Sequence, residues 1–140
     1  AGKKLSPIIW VPGITSMALE ARRIKGTEIG NPWCAATVPE DDWYMLYVSS
    51  KQSANVPCFV WSMTLQPPDD QGCVKDAEGL EIREVGFGSS AGVAHLNPGD
   101  PIPFPLYEKL ISSLEKVNHV RDKTIKFATY DWRKYGDRCW

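Results

Sequence analysis

Apolar residues in this chain fall mostly into short runs punctuated by turn formers. Pro7–Gly13 (PIIWVPG) is an apolar run closed by Pro-Gly, the pattern of a buried strand entering a turn. Ser16–Arg23 (SMALEARR) has helix-forming composition but is too short to stand as a helix alone. Gly30–Cys34 reads as loop. Pro39–Val48 (PEDDWYMLYV) sets a proline and acidic residues ahead of Trp43, Tyr44, Met45, Leu46 and Tyr47, an order that favours a helix start. Cys58–Gln66 (CFVWSMTLQ) is β-like and ends at the turn PPDDQG. Leu80–Gly88 alternates around Leu80 and Ile82 with a charged opposite face, predicting a strand that finishes in glycines. Ser89–Pro105 is Gly- and Pro-rich and predicts loop. Leu106–His119 is the clearest helix, with Leu106, Leu110, Leu114 and Val117 as its apolar stripe. A turn then leads to Lys126–Trp132, which reads as a buried strand.

This order ends in a helix–strand unit and favours a layered α/β architecture over a sandwich. The long excursion between the first strand and that unit has the size of a lid or binding loop. The length of 140 residues suits one domain, and 43% hydrophobic residues suffice for a core. With 16 basic and 17 acidic side chains there is no basic stripe to attract nucleic acid. No apolar run approaches the roughly 20 residues that cross a bilayer. The opening AGKKLSPIIWV lacks a charged-then-apolar leader and reads as a mature or trimmed N-terminus.

The four cysteines, Cys34, Cys58, Cys73 and Cys139, show no close pairing, and only His95 and His119 could join them, so no metal site is expected. Disulfides in an oxidising compartment are expected instead, with three connectivities open. Most of the six tryptophans should pack in core or at contacts, Trp10 and Trp132 among the core ones.

Several segments, in order along nearly the whole chain, carry a resemblance. VPGITSMALEAR is similar to a VPG…LEAK opening, REVGFG to RVPGFG, and HVRDKTIKFATYDWR to YVRDETVRAAPYDWR. The last is the specific one. The family is that of lecithin:cholesterol acyltransferase and lysosomal phospholipase A, which are α/β-hydrolases. The resemblance implies the N-terminal portion of such a fold: a first core strand and oxyanion loop over 1–30, an insertion over 31–66, and a core segment over 67–140. It also implies that Cys34 and Cys58 close the insertion as a disulfide behind Trp33, making a lid that contacts membrane, with Cys73 and Cys139 left open.

In this fold the nucleophilic serine stands in a G-x-S-x-G elbow, with Asp and His later. By the resemblance all three lie downstream of YDWR. No G-x-S-x-G elbow is read in this chain, and the nearest stretch, GFGSSAG, follows the GFG segment and not the elbow. The chain is therefore expected to be one piece of an enzyme, cut in the RKYGDR loop, with a C-terminal fragment bearing Ser, Asp and His as partner. Its own contribution would be the Ile14 backbone N–H as an oxyanion donor, with Gly13 easing close approach. Relatives commonly have proline where Val85 stands.

Trp43, Tyr44, Met45 and Leu46 would meet lipid, and Phe87 would lie near the active-site floor. Asp131 and Arg133 would form a structural ion pair, and neither His95 nor His119 matches the catalytic histidine. The implied activity is cleavage of glycerophospholipid acyl esters through an acyl-enzyme, with transfer to water or a sterol and no cofactor. A phospholipid membrane or lipoprotein would be the working surface, and the setting secreted or the lumen of a secretory or lysosome-like vesicle. The alternative is a non-catalytic secreted fragment that binds lipid or protein.

Overall fold

The computed structural model describes residues 5–40, 42–101, 103–137 and 139. The leading residues 1–4, and Asp41 in the acidic run before Trp43, lie outside the described residues. In chain order the elements are β1 (Ile8–Trp10), β2 (Leu19–Arg23), a 3₁₀ helix (Pro32–Thr37), β3 (Tyr44–Tyr47), α1 (Ser50–Ser53), α2 (Val56–Met63), β4 (Leu80–Glu84), α3 (Glu108–Glu115), β5 (Ile125–Phe127) and a second 3₁₀ helix (Trp132–Lys134). The chain is mixed α/β with two disulfides, Cys34–Cys58 and Cys73–Cys139. It divides into two compact units.

The first unit takes Ala1–Ala18 and Glu84–Tyr130. Its sheet is a parallel pair in which Ile8, Ile9 and Trp10 stand opposite Ile125, Lys126 and Phe127. Parallel strands need a long crossover, here ending in α3. Phe127, Ile125, Ile111, Met17 and Val93 are fully buried. Tyr107 bridges Trp10 and Phe127, its ring centroid 6.0 and 5.8 Å from theirs. Pro7–Gly13, expected as a buried strand, is a strand over Ile8–Trp10 only. Ile9, Val11 and Trp10, the last expected in the core, are exposed because β1 has one strand neighbour. The predicted strand Lys126–Trp132 is real only to Phe127. The predicted helix holds, but Ile111 forms its buried centre and Val117, beyond the last turn, is exposed.

The second unit takes Leu19–Arg83 and Asp131–Trp140. Its sheet has the order β3-β2-β4, with β2 and β3 antiparallel and a bulge between Leu19 and Glu20. Ser16–Arg23 has helical composition, yet Leu19–Arg23 is a strand. Leu19 and Ala21 point into the core while Glu20 and Arg22 point out, so period two overrides propensity. Tyr44–Tyr47, within the segment Pro39–Val48 expected to start a helix, is likewise strand β3, which suits its aromatic content.

Cys58–Gln66, read as β, is instead mostly helix α2. The Asn55 side chain caps it by accepting from Cys58 N, and Pro57 sits in the first turn with its φ already helical. Two small cores result. One gathers Ile29, Cys34, Val38, Cys58, Ala77 and Leu80, and the other Leu19, Ala21, Leu46 and Ile82. Trp132, predicted as a strand residue, lies in the 3₁₀ helix against the second core, edge-on to Tyr47 at 5.1 Å.

Candidate functional site

In the first unit, β1 runs out through Val11 and the buried Pro12 into a turn closed by Ser16 N–H on Gly13 C=O at 3.0 Å. Ile14 and Thr15 occupy its central positions. Thr15 has φ 64°, a left-handed conformation that costs a non-glycine residue about 1–2 kcal/mol. Among the described residues, the Ile14 and Thr15 N–H groups donate to nothing. Ile14 itself is 56% exposed. The turn thus offers free amide donors beyond the carboxyl end of β1, the end where open α/β sheets bind their ligands.

The GFG segment reaches the same end of the parallel pair. Gly88 N donates to Phe127 O at 2.8 Å, at the carboxyl end of β5, and leaves the Phe87 ring 71% exposed. Val85 N donates to Ala18 O at 3.2 Å, a bond that proline could not make. Gly92 lies so close that a Cβ there would meet the Val85 carbonyl oxygen at 2.4 Å.

Letter by letter, Gly88–Gly92 (GSSAG) does satisfy G-x-S-x-G, with Ser90 in the nucleophile's place. The fold there is wrong for an elbow. A series of turns surrounds Ser90, with no strand delivering it and no helix leaving it. Ser90 is only 5% exposed, and its N–H is held by Asp122 Oδ1 at 2.6 Å. Its hydroxyl bonds no histidine among the described residues. His95 lies in an isolated bridge with Pro105, and His119 Nδ1 is 3.3 Å from Thr124 Oγ1. Ser90 anchors the loop after β4.

In the second unit, the Cys34–Cys58 disulfide ties the 3₁₀ helix to α2. Beside it Trp33 is 92% exposed, and Val56 and Val60, four apart on α2, are exposed as well. The sequence-predicted lipid residues sit elsewhere. Leu46 is fully buried core, and Met45 is half-buried on β3. The Trp43 ring has the Arg83 guanidinium at 3.7 Å and that of Arg22 at 4.8 Å, a cation–π stack on the outer face of the sheet. Arg22 and Arg83 also pair with Glu81 and Glu20. The exposed Val56 and Val60 escaped the sequence reading because their i, i+4 relation exists only in a helix.

Tyr44 packs against both small cores, and burial pushes its hydroxyl up to about 12, the nearby Ser62 hydroxyl opposing. The raised value makes the folded state favour the neutral phenol. Its contribution is therefore whole below 10.0, the ordinary tyrosine value, and is lost as pH rises through about 12. Urea titrations across that range should show wild type losing stability that Tyr44→Phe keeps. Parallel losses in both proteins would contradict this.

Asp131 and Arg133 of YDWR pair as expected, and Asp76, which the sequence did not suggest, completes the group. Arg133, its side chain 3% exposed, reaches Asp131 Oδ2 at 2.5 Å and Asp76 Oδ1 at 2.7 Å. Asp76 Oδ2 accepts from Ile82 N of β4, and Lys134 Nζ adds a contact to Asp76 at 3.1 Å. Burial opposes the Arg133 charge, but the Asp131 and Asp76 carboxylates outweigh it and raise its pKa.

The profile of the lecithin:cholesterol acyltransferase family matches residues 41–138. Human phosphatidylcholine-sterol acyltransferase is 28% identical over 129 residues, covering 91% of this chain and 28% of the relative. Lecithin-cholesterol acyltransferase-like 1 of Arabidopsis thaliana is 29% identical over 143 residues, covering 96% of this chain and 33% of the relative. The chain thus spans no more than a third of these curated relatives. A match over residues 41–138, most of the sequence, shows that the chain belongs to the lecithin:cholesterol acyltransferase family.

Proposed function

We propose that this chain supplies the oxyanion turn and a lipid-facing, disulfide-closed lid to a serine phospholipase or acyltransferase. The serine, aspartate and histidine stand in the remainder of that enzyme. The serine oxygen attacks the acyl carbonyl of a glycerophospholipid, and the Ile14 N–H is one donor to the oxyanion that forms. The glycerol oxygen leaves with a proton, and the acyl-enzyme passes its acyl group to water or to a sterol hydroxyl. The observation that carries the reading is the unsatisfied Ile14 N–H in a strained turn at the carboxyl end of the parallel pair. Family membership adds to it. Phe87, exposed at the same end, is the residue offered to the acyl chain.

Residues 31–66 act as the lid, and the two disulfides favour a secreted or lumenal setting. The exposed Trp33, Val56 and Val60 make the better membrane contact, because Leu46 is interior and Trp43 is occupied by arginines. The test is acyl release from phosphatidylcholine vesicles, with and without sterol, by the polypeptide that joins this segment to its serine. Fatty acid or steryl ester should form. Trp33→Ala should weaken vesicle sedimentation about threefold to tenfold while turnover of a soluble ester is unchanged. Vesicle binding without any acyl transfer would instead favour a non-catalytic lipid-binding role.

A further inference from the structure

The oxyanion turn is gripped on both sides by one residue. Tyr130 Oη donates to the carbonyl oxygen of Pro12 at 3.2 Å, one residue before Gly13. The Tyr130 backbone N–H points at Met17 Sδ, 3.1 Å away, one residue after Ser16. Pro12 and Met17 are both fully buried, so the two grips lie at fixed points. Between them lie a flexible glycine and Thr15 at φ 64°, a conformation that persists only where its surroundings impose it.

We infer that Tyr130 is a positioning residue for the Ile14 oxyanion donor, acting through Pro12 and Met17 without touching substrate. The inference rests on the reading of this turn as an oxyanion site. Its physical basis is separate: a preorganised donor stabilises a developing charge only if it does not have to reorient, so play in the turn lowers turnover more than binding.

Two measurements test it. In this chain, amide exchange is followed in wild type and Tyr130→Phe, with Met17→Leu as a second variant that removes the sulfur acceptor and keeps the bulk. Ser16 N–H, which closes the turn, should exchange about tenfold faster in both variants. Ile111 N–H, held by Tyr107 O inside the same unit, should not change. In the polypeptide that carries the serine, hydrolysis of a short-chain nitrophenyl ester should show kcat down about tenfold and KM within about twofold.

Unchanged Ser16 exchange overturns the grip, whatever the activity does. Faster Ser16 exchange with unaltered kcat, in an active wild type, overturns the positioning role and leaves Tyr130 a fold residue. A wild type that turns over no ester removes the proposed function itself, and the positioning role with it.

Discussion

Arg133→Ala lowers the unfolding free energy of the second unit by about 3–5 kcal/mol, the cost of stranding buried carboxylates without their partner. Arg133 is nearly inaccessible, and the two carboxylates it holds are each only 11% exposed. Removing the guanidinium leaves Asp131 and Asp76 with Lys134, whose Nζ lies 3.1 Å from Asp76 but 3.8 Å from Asp131. Asp76 must then choose between its bond to Ile82 N and water, which loosens the start of the 3₁₀ helix and β4 together. Urea unfolding followed by tryptophan fluorescence reads the effect. Arg22→Ala is the contrast: its pair with Glu81 lies on the open face, and its loss should cost under about 1 kcal/mol. Equal effects from the two substitutions would remove the special standing given to the buried group.

Replacing both Cys34 and Cys58 by serine is expected to cost about 3 kcal/mol, from the chain entropy released when a closure of this size is opened. The bridge spans 24 residues and joins the first 3₁₀ helix to the buried side of α2. Both sulfurs lie in a core with Ile29, Val38, Ala77 and Leu80, so serine hydroxyls there add a desolvation cost. Thermal unfolding of the double variant against wild type, both without reductant, gives the number. Reductant should then lower wild type and variant unequally, the variant less. A variant as stable as wild type would mean that the segment is held by packing alone.

What was legible in the sequence follows from what each signal encodes. Strands within Pro7–Gly13 and Leu80–Gly88 were readable because a short run closed by Pro-Gly, or strict alternation, suits extended chain. The burial expected of the first was not, since that depends on how many strands flank it. Leu106–His119 was readable because its stripe repeats over several turns. Cys58–Gln66 misled because an apolar run without a clear period suits helix and strand alike. The deciding groups were Asn55 and Pro57 just ahead of it. At 16–23, alanine, leucine and arginine favour a helix, and the counter-signal was the alternation of Met17, Leu19 and Ala21.

The candidate site was partly legible, through family resemblance and not through periodicity. Ile14 and Phe87 were named in that way, and both stand at one end of the β1–β5 pair. Tyr130 and Asp76 could not be found by such means. Tyr130 works on a carbonyl 118 positions away, and Asp76 on a guanidinium 57 away, and nothing local in either segment announces its partner. Trp43 was visible as an aromatic, but not the two arginines from separate strands that cover it.

Both covalent bridges fall within Leu19–Arg83 and Asp131–Trp140, and among the described residues the other unit has none. The two parts of the polypeptide therefore mature on different clocks. One holds no covalent bridge among the described residues, whereas the other needs an oxidant to close it twice. Where oxidant is scarce, molecules with these bridges still open would carry their thiols in one part only. Yield would then follow the supply of oxidant more closely than the rate of translation.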